Sequence, residues 1–170
     1  MIKIGNNISG FSTYSCQPKT TEELKAIIGD RIAKDGPECN LNDIDTSLIT
    51  DMSYLFYDSK FNGDISDWDT SNVKYTVWMF AYSSFNQDIS KWDLSVCESM
   101  GGMFLKSNFN SDISKWNTTR VTNMNKMFAW SKFKQNISNW KIRKDCDVRD
   151  MFKDCSIKEE FKPKLTRCSR

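Results

Sequence analysis

The sequence predicts an α/β protein: a curved, right-handed solenoid of about four and a half 24-residue coils, each a short strand plus a short helix, with an N-terminal capping helix and a C-terminal cap. Three observations predict it. The stretch FNGDISDWDTSNV at Phe61 returns as FNQDISKWDLSVC at Phe85, FNSDISKWNTTRV at Phe109 and, in weaker form, FKQNISNWKIRKD at Phe133. On that period Phe56, Phe80, Phe104, Phe128 and Phe152 share one column, Trp68, Trp92, Trp116 and Trp140 a second, and Ile65, Ile89, Ile113 and Ile137 a third. A unit of this length is too small to bury its own apolar face, so it has to stack on its neighbours.

The elements follow in chain order. TTEELKAIIGDRIAKDG carries Thr20 and Glu23 as a capping box, places Leu24, Ile27, Ile28 and Ile32 on one face, and stops at Gly36 and Pro37; it predicts an amphipathic helix over the first coil. LNDIDTSLITDMSYLF from Leu41 matches the later coils column by column and supplies the extra half coil. Within a coil, DISDW reads as a brief strand in a parallel ladder. SNVKYTVWMF places Val73, Thr76, Met79 and Phe80 three and four apart, the spacing of a short helix, with Ser71 and Ser95 as N-caps and Ser95 with Glu98 as a capping box. Strands about 4.8 Å apart beside helices about 8 to 10 Å apart would bend the stack. The divisions are 1–40 for the N-terminal segment and capping helix, 41–152 for the repeats and 153–170 for the C-terminal cap, all one structural domain.

At 170 residues and 39% apolar content, no membrane span is expected. The net charge of +2 is unevenly spread: residues 38–72 hold eight acidic side chains and one basic, and 141–170 hold ten basic and six acidic. The basic end lacks the Arg-rich, aromatic-interleaved pattern of a phosphate-tracking surface, so no nucleic acid is expected. The first residues show neither a signal peptide nor a lipid-attachment site before Cys16, so the chain as written is expected to stay where it is made. Six cysteines stand at 16, 39, 97, 146, 155 and 168; Cys97 occupies the place of Val73 and Val121 and reads as a small buried residue. Reduced thiols are expected, with one terminal disulfide open if the chain is exported.

These blocks carry a resemblance. The F-N-x-D-I-S-x-W-D and N-M-x-x-M-F patterns, with LNDIDTSLITDMSYLF and the lead-in PKTTEELKAIIGDRIAKDGPECNLNDIDTS, resemble the BspA-like bacterial repeat proteins, a leucine-rich-repeat-type family of surface proteins and lipoproteins. The resemblance covers 41–152 closely. It implies adhesion or another protein interaction, a cell-surface location if the chain belongs to an exported protein, and no catalytic residues.

Residue by residue, the expectations are these. The Trp68 column is expected in the core, its ring nitrogens bonded to backbone, and not as a sugar platform. Asp64, Asp88, Asp112 and Asn136 are expected to brace turns through local backbone bonds, as is the Asn62, Asn86 and Asn110 column, and no calcium ladder or other metal site is expected. With no histidine, no nucleophile elbow and no phosphate-binding loop, neither catalysis nor a cofactor is expected. Sequons at Asn7, Asn117 and Asn136 are what an Asn/Ser/Thr-rich chain produces by composition.

The repeat breaks at paired positions four apart: Tyr54 and Asp58, Trp78 and Tyr82, Gly102 and Lys106, Lys126 and Trp130. Read as one helix face off the core columns, they form an aromatic–lysine stripe, and the partner-binding candidates are Tyr54, Trp78, Tyr82, Lys106, Lys126 and Trp130. Two readings stay open, a docking face or packing onto neighbouring coils. A weaker second variable column is Asp67, Lys91, Lys115 and Asn139. The functional expectation is a monomeric, non-catalytic protein-binding module; an intracellular inhibitor or immunity-type partner, a carbohydrate-binding module and a self-associating structural protein are the alternatives.

Overall fold

The computed structural model describes residues 14–165; the Asn7 sequon, Cys168 and the outermost parts of both expected end segments lie outside them. Its helix α1, Thr21–Asp35, starts where the capping box predicts: the Thr20 side chain accepts from the Glu23 N–H at 3.2 Å, and the Glu23 carboxylate accepts from the Lys19 N–H at 2.7 Å. Leu24 and Ile28 are buried, and Ile27 and Ile32 pack against the same core. Thr21 Oγ1 donates to the Asp51 carbonyl at 2.6 Å and the Arg31 guanidinium holds Asp43 at 2.9 Å, so both ends of α1 are tied to the first coil.

The strand-plus-helix coils are not found. Among the described residues α1 is the only α-helix, and the parallel pairing is confined to isolated bridges: Cys16 with Ile44, then Asp51, Tyr75, Ser99, Asn123 and Asp147 in succession. The α/β class is therefore overturned, and with it the argument for curvature, which needed helices on one side. The 24-residue period is real, but tandem turns carry it.

The bonding of 52–59 shows how. The N–H groups of Met52, Tyr54, Phe56 and Asp58 donate to the carbonyls of Tyr75, Val77, Met79 and Ala81 in the next coil at 2.8–3.0 Å. Those of Leu55, Tyr57 and Ser59 close turns onto Met52, Tyr54 and Phe56, and that of Ser53 is taken by the Asp51 carboxylate at 2.8 Å. Every donor in the stretch is thereby satisfied. The same alternation of bonds to the next coil and turn-closing bonds recurs at 76–83, 100–107 and 124–131. Turns closing at 52–55 and 56–59 put Tyr54 and Asp58 third, with φ of 62° and 52°, the left-handed conformation that such turns require there. Two turns in tandem repeat every four residues, so they reproduce the three-and-four spacing of a helix without its backbone.

The DISDW piece is also a turn. Trp68 N–H donates to Ile65 O at 3.3 Å, and Asp64 Oδ1 accepts from the Ser66 N–H at 2.9 Å. Asp88, Asp112 and Asn136 repeat that bond with Ser90, Ser114 and Ser138 at 2.8, 2.8 and 3.0 Å. Ser71 and Ser95 follow Asp69 and Asp93 in the same kind of turn, donating to their carboxylates, and cap no helix. The asparagine column does something else: Asn62, Asn86 and Asn110 accept through Oδ1 from the N–H of Asn86, Asn110 and Lys134, each one coil onward, at 2.7–2.8 Å.

Side chains complete the stack. The Phe56 column stacks at 5.5–5.7 Å between centroids and the Phe61 column at 6.2–6.3 Å, with 4.1–4.6 Å between the two columns inside a coil. Each tryptophan of the Trp68 column is 4% exposed and donates its ring N–H to a carbonyl of the preceding coil, at Leu41, Ile65, Ile89 and Ile113, over 2.9–3.1 Å. Cys97 is buried, which pushes its thiol up to about 12, and the five described cysteines are free. At the far end Ile137 N–H donates to Phe161 O in the 3₁₀ turn Glu159–Phe161, and Lys162 lies over Phe152 at 5.6 Å. No helix among the described residues is long and apolar enough to cross a membrane.

Two outcomes follow. Gly63 leaves no room for a methyl group, because a Cβ there would overlap the Cys39 carbonyl oxygen, whereas Gly29 in α1 has nothing within 4 Å. Thermal unfolding should show Gly63→Ala losing about 1–3 kcal/mol and Gly29→Ala gaining about 0.5–1 kcal/mol. The Ser66 and Ser90 N–H groups hold the Asp64 and Asp88 carboxyls below the usual carboxylate range. Their contribution is complete above the unfolded value of about 3.9 and is lost as pH falls through the lower folded values. Asp64→Asn with Asp88→Asn, which keeps the acceptor as Asn136 does, should flatten the decline of Tm below about pH 4.

Candidate functional site

The six candidates of the stripe lie on no helix. Tyr54, Trp78, Tyr82, Lys106, Lys126 and Trp130 all have φ between 51° and 62°. They occupy the third places of successive turns, with Gly102 at 61° and Asp58, Asp150 and Asp154 filling the remaining places of the same two columns. Next to the second column lies a small apolar cluster outside the main core, formed by Ala81, Leu105 and Ala129, and of the six candidates Trp78 packs against it.

Packing and exposure are divided among them. Trp78 is half-buried against that cluster and lies across Gly102, where a Cβ would stand 2.9 Å from its ring nitrogen. Tyr54, Tyr82 and Trp130 are 49%, 40% and 40% exposed. Tyr54 stacks on Trp78 at 6.3 Å and Trp78 on Tyr82 at 6.5 Å. Lys106 places its ammonium over Tyr82 at 5.3 Å and over Trp130 at 5.8 Å, so five of the six candidates form one continuous surface. Lys126, half-buried in the first column, takes part in none of the described ring contacts.

Two members were missed in sequence. Tyr57, 45% exposed, meets Tyr54, Trp78 and Tyr82 at 5.6–6.0 Å, and Lys153 lies over Trp130 at 5.3 Å. Both sit one place before the second left-handed column, where the intervening coils carry Ala81, Leu105 and Ala129. That place lies outside the pairs four apart, and the turn brings it alongside the stripe. The signal was the substitution of Tyr and Lys for small or buried residues at the two ends of the column.

The Trp68 column, by contrast, offers no ring face to solvent. Asp67 and Lys91 of the second variable column pair across coils at 3.9 Å, both well exposed, a contact of little energetic weight. Among the described residues no group of Cys, Asp or Glu is placed to hold a metal ion.

The left-handed geometry has a measurable consequence. In a helix Lys126→Gly would cost about 1 kcal/mol; at φ 54° it removes side-chain strain of about 1 kcal/mol against a comparable gain in unfolded-state freedom. Its Tm should therefore hold or rise. Gly102→Ala should lose about 1–3 kcal/mol through the left-handed φ and the Trp78 contact.

No curated protein and no solved structure matches the chain. One family model does, twice in overlapping register, at residues 31–108 and 79–166, so that 136 of the 170 residues are covered. The overlap reflects the repeat, since either half of the stack can be aligned to the same unit. The chain belongs to the repeat-containing bacterial family described as Mycoplasma protein of unknown function, DUF285.

Proposed function

We propose that the protein is a non-catalytic binding module for another protein and that its partner docks on the left-handed stripe. The observation that supports this is the choice of residues there. Glycine, asparagine or aspartate suits a left-handed position, yet six of the described positive-φ positions hold Tyr, Trp or Lys, at about 1 kcal/mol each. Residues placed against local stability, gathered on one surface and not repeated from coil to coil, point to selection for something other than folding. Exposed Tyr and Trp are also the side chains most enriched at the energetic centres of protein interfaces. Their mutual stacking and the lysine over two rings restrict them before contact, which lowers the entropy lost on docking.

Tyr54, Tyr82 and Trp130 are the anchors in this reading, Lys106 orients the partner by charge, and Trp78 supports the surface from below. The resemblance of the F-N-x-D-I-S-x-W-D blocks to BspA-like surface proteins extends the reading to adhesion, with a partner on another cell or on a host.

The test uses glycine, which the backbone prefers at these positions. Tyr54→Gly, Tyr82→Gly, Trp130→Gly should unfold within a few degrees of the wild type and lose any protein that the immobilised wild type retains from cell-surface and cytosolic extracts. Equal retention by an equally stable variant would remove the stripe as the site. The compartment of a partner lost with the stripe separates an adhesin from an intracellular inhibitor.

A further inference from the structure

A second feature lies away from the stripe, on the polar turns of the D-I-S-x-W blocks. Asp112, Ser114, Gln135, Asn136, Ser138 and Asn139 line a cleft of about 360 Å³. It shares Asn139 with a neighbouring hollow of about 310 Å³, lined by Asn117, Thr118, Thr119, Lys141 and the edges of Trp116 and Trp140. Both lie where the chain departs from its own repeat. The place of Asn136 is held by Asp64, Asp88 and Asp112 in the other coils, and the place of Asn139 by Asp67, Lys91 and Lys115. In the earlier coils the long Lys91 side chain reaches across to Asp67; here the shorter asparagine leaves the space open.

The lining side chains are held by one polar atom and present the other. Asp112 Oδ1 and Asn136 Oδ1 accept from the Ser114 and Ser138 N–H groups at 2.8 and 3.0 Å. Asn139 Nδ2 and Gln135 Nε2 donate to the Ser114 and Asn110 carbonyls, each at 2.8 Å. That leaves Asp112 Oδ2, Asn139 Oδ1 and Gln135 Oε1 as acceptors and Asn136 Nδ2 as a donor, with orientations set by the backbone bonds. We propose that the cleft and its neighbour bind a neutral, polyhydroxylated ligand of disaccharide size. Sugar hydroxyls both donate and accept, as this mixture of amide, hydroxyl and carboxylate groups requires. Asp112 opposes an anion in the cleft, Lys141 of the neighbouring hollow can donate to a hydroxyl, and the polar lining gives a lipid or a nucleobase little to pack on. Each hollow lies at the small end of the range of about 300–1,000 Å³ for small-molecule sites, room for about one ring. This site is independent of the docking stripe and stands or falls separately.

The experiment titrates the ¹⁵N-labelled full chain with maltose, cellobiose and N,N′-diacetylchitobiose, following the side-chain amide signals of Gln135, Asn136 and Asn139. Saturable shifts are expected with at least one disaccharide, at a millimolar dissociation constant. Asn136→Asp with Asn139→Lys should weaken it at least tenfold. That variant writes into the fourth coil what Asp112 and Lys115 hold in the third, so the turn is one the fold already accepts. No saturable shift with any of the three sugars at tens of millimolar, unchanged affinity in the double variant, or the same shifts from calcium chloride alone would each overturn the proposal.

Discussion

The coil-to-coil backbone ladder is the constraint on which the rest of the structure depends. Between neighbouring coils, every second N–H of a seven-residue stretch donates to a carbonyl about one period onward, and the intervening N–H groups close turns within the coil. A strand inside a parallel sheet would turn its intervening donors to the neighbour on the other side and lie extended. An α-helix would use all of its donors on itself. The tandem-turn segment divides them, half to the coil and half to the next, and that division demands a left-handed residue at every fourth place. Coil spacing then follows from hydrogen-bond length, and the phenylalanine and tryptophan columns stack because the backbone sets their rings one coil apart.

The same constraint explains how polar groups are handled in so narrow a stack. Side chains that would otherwise be buried without partners reach a carbonyl one coil away: Thr46, Thr70 and Thr118 donate to Asp69, Asp93 and Lys141, and the tryptophan ring nitrogens to the preceding coil. Among the described residues no buried side-chain nitrogen or oxygen lacks a hydrogen bond. A regular period makes this possible, since one solution serves every coil. It also makes departures from the period informative. At the left-handed positions the ladder uses only the backbone, and the side chain there differs from coil to coil.

Much of the core was legible in the sequence. Repeated Phe, Ile and Trp columns mark burial whatever the backbone between them, and Thr20 with Glu23 marked the start of α1. The asparagine columns were only half legible, because their type suggests a local turn and gives no hint that the acceptor serves the next coil. The candidate stripe was found by its irregularity, although the reason offered for it, a shared helix face, was wrong; side chains four apart meet on a helix and also on tandem four-residue turns. Tyr57 and Lys153 escaped because their place lies outside the pairs four apart that marked the stripe.

By itself, then, the sequence determined the period, the core columns, the first helix and which residues break the pattern, because burial and capping leave their mark in residue type. Only the tertiary structure decided that the coils are turns in place of strands and helices. The distinction rests on backbone φ and on which carbonyl each N–H reaches, and in a stack those acceptors lie about 24 residues away, beyond the range of local periodicity. It was likewise the assembled stack that brought Tyr54, Trp78, Tyr82, Lys106 and Trp130 into one surface, since their contacts run along the stack axis and not along the chain.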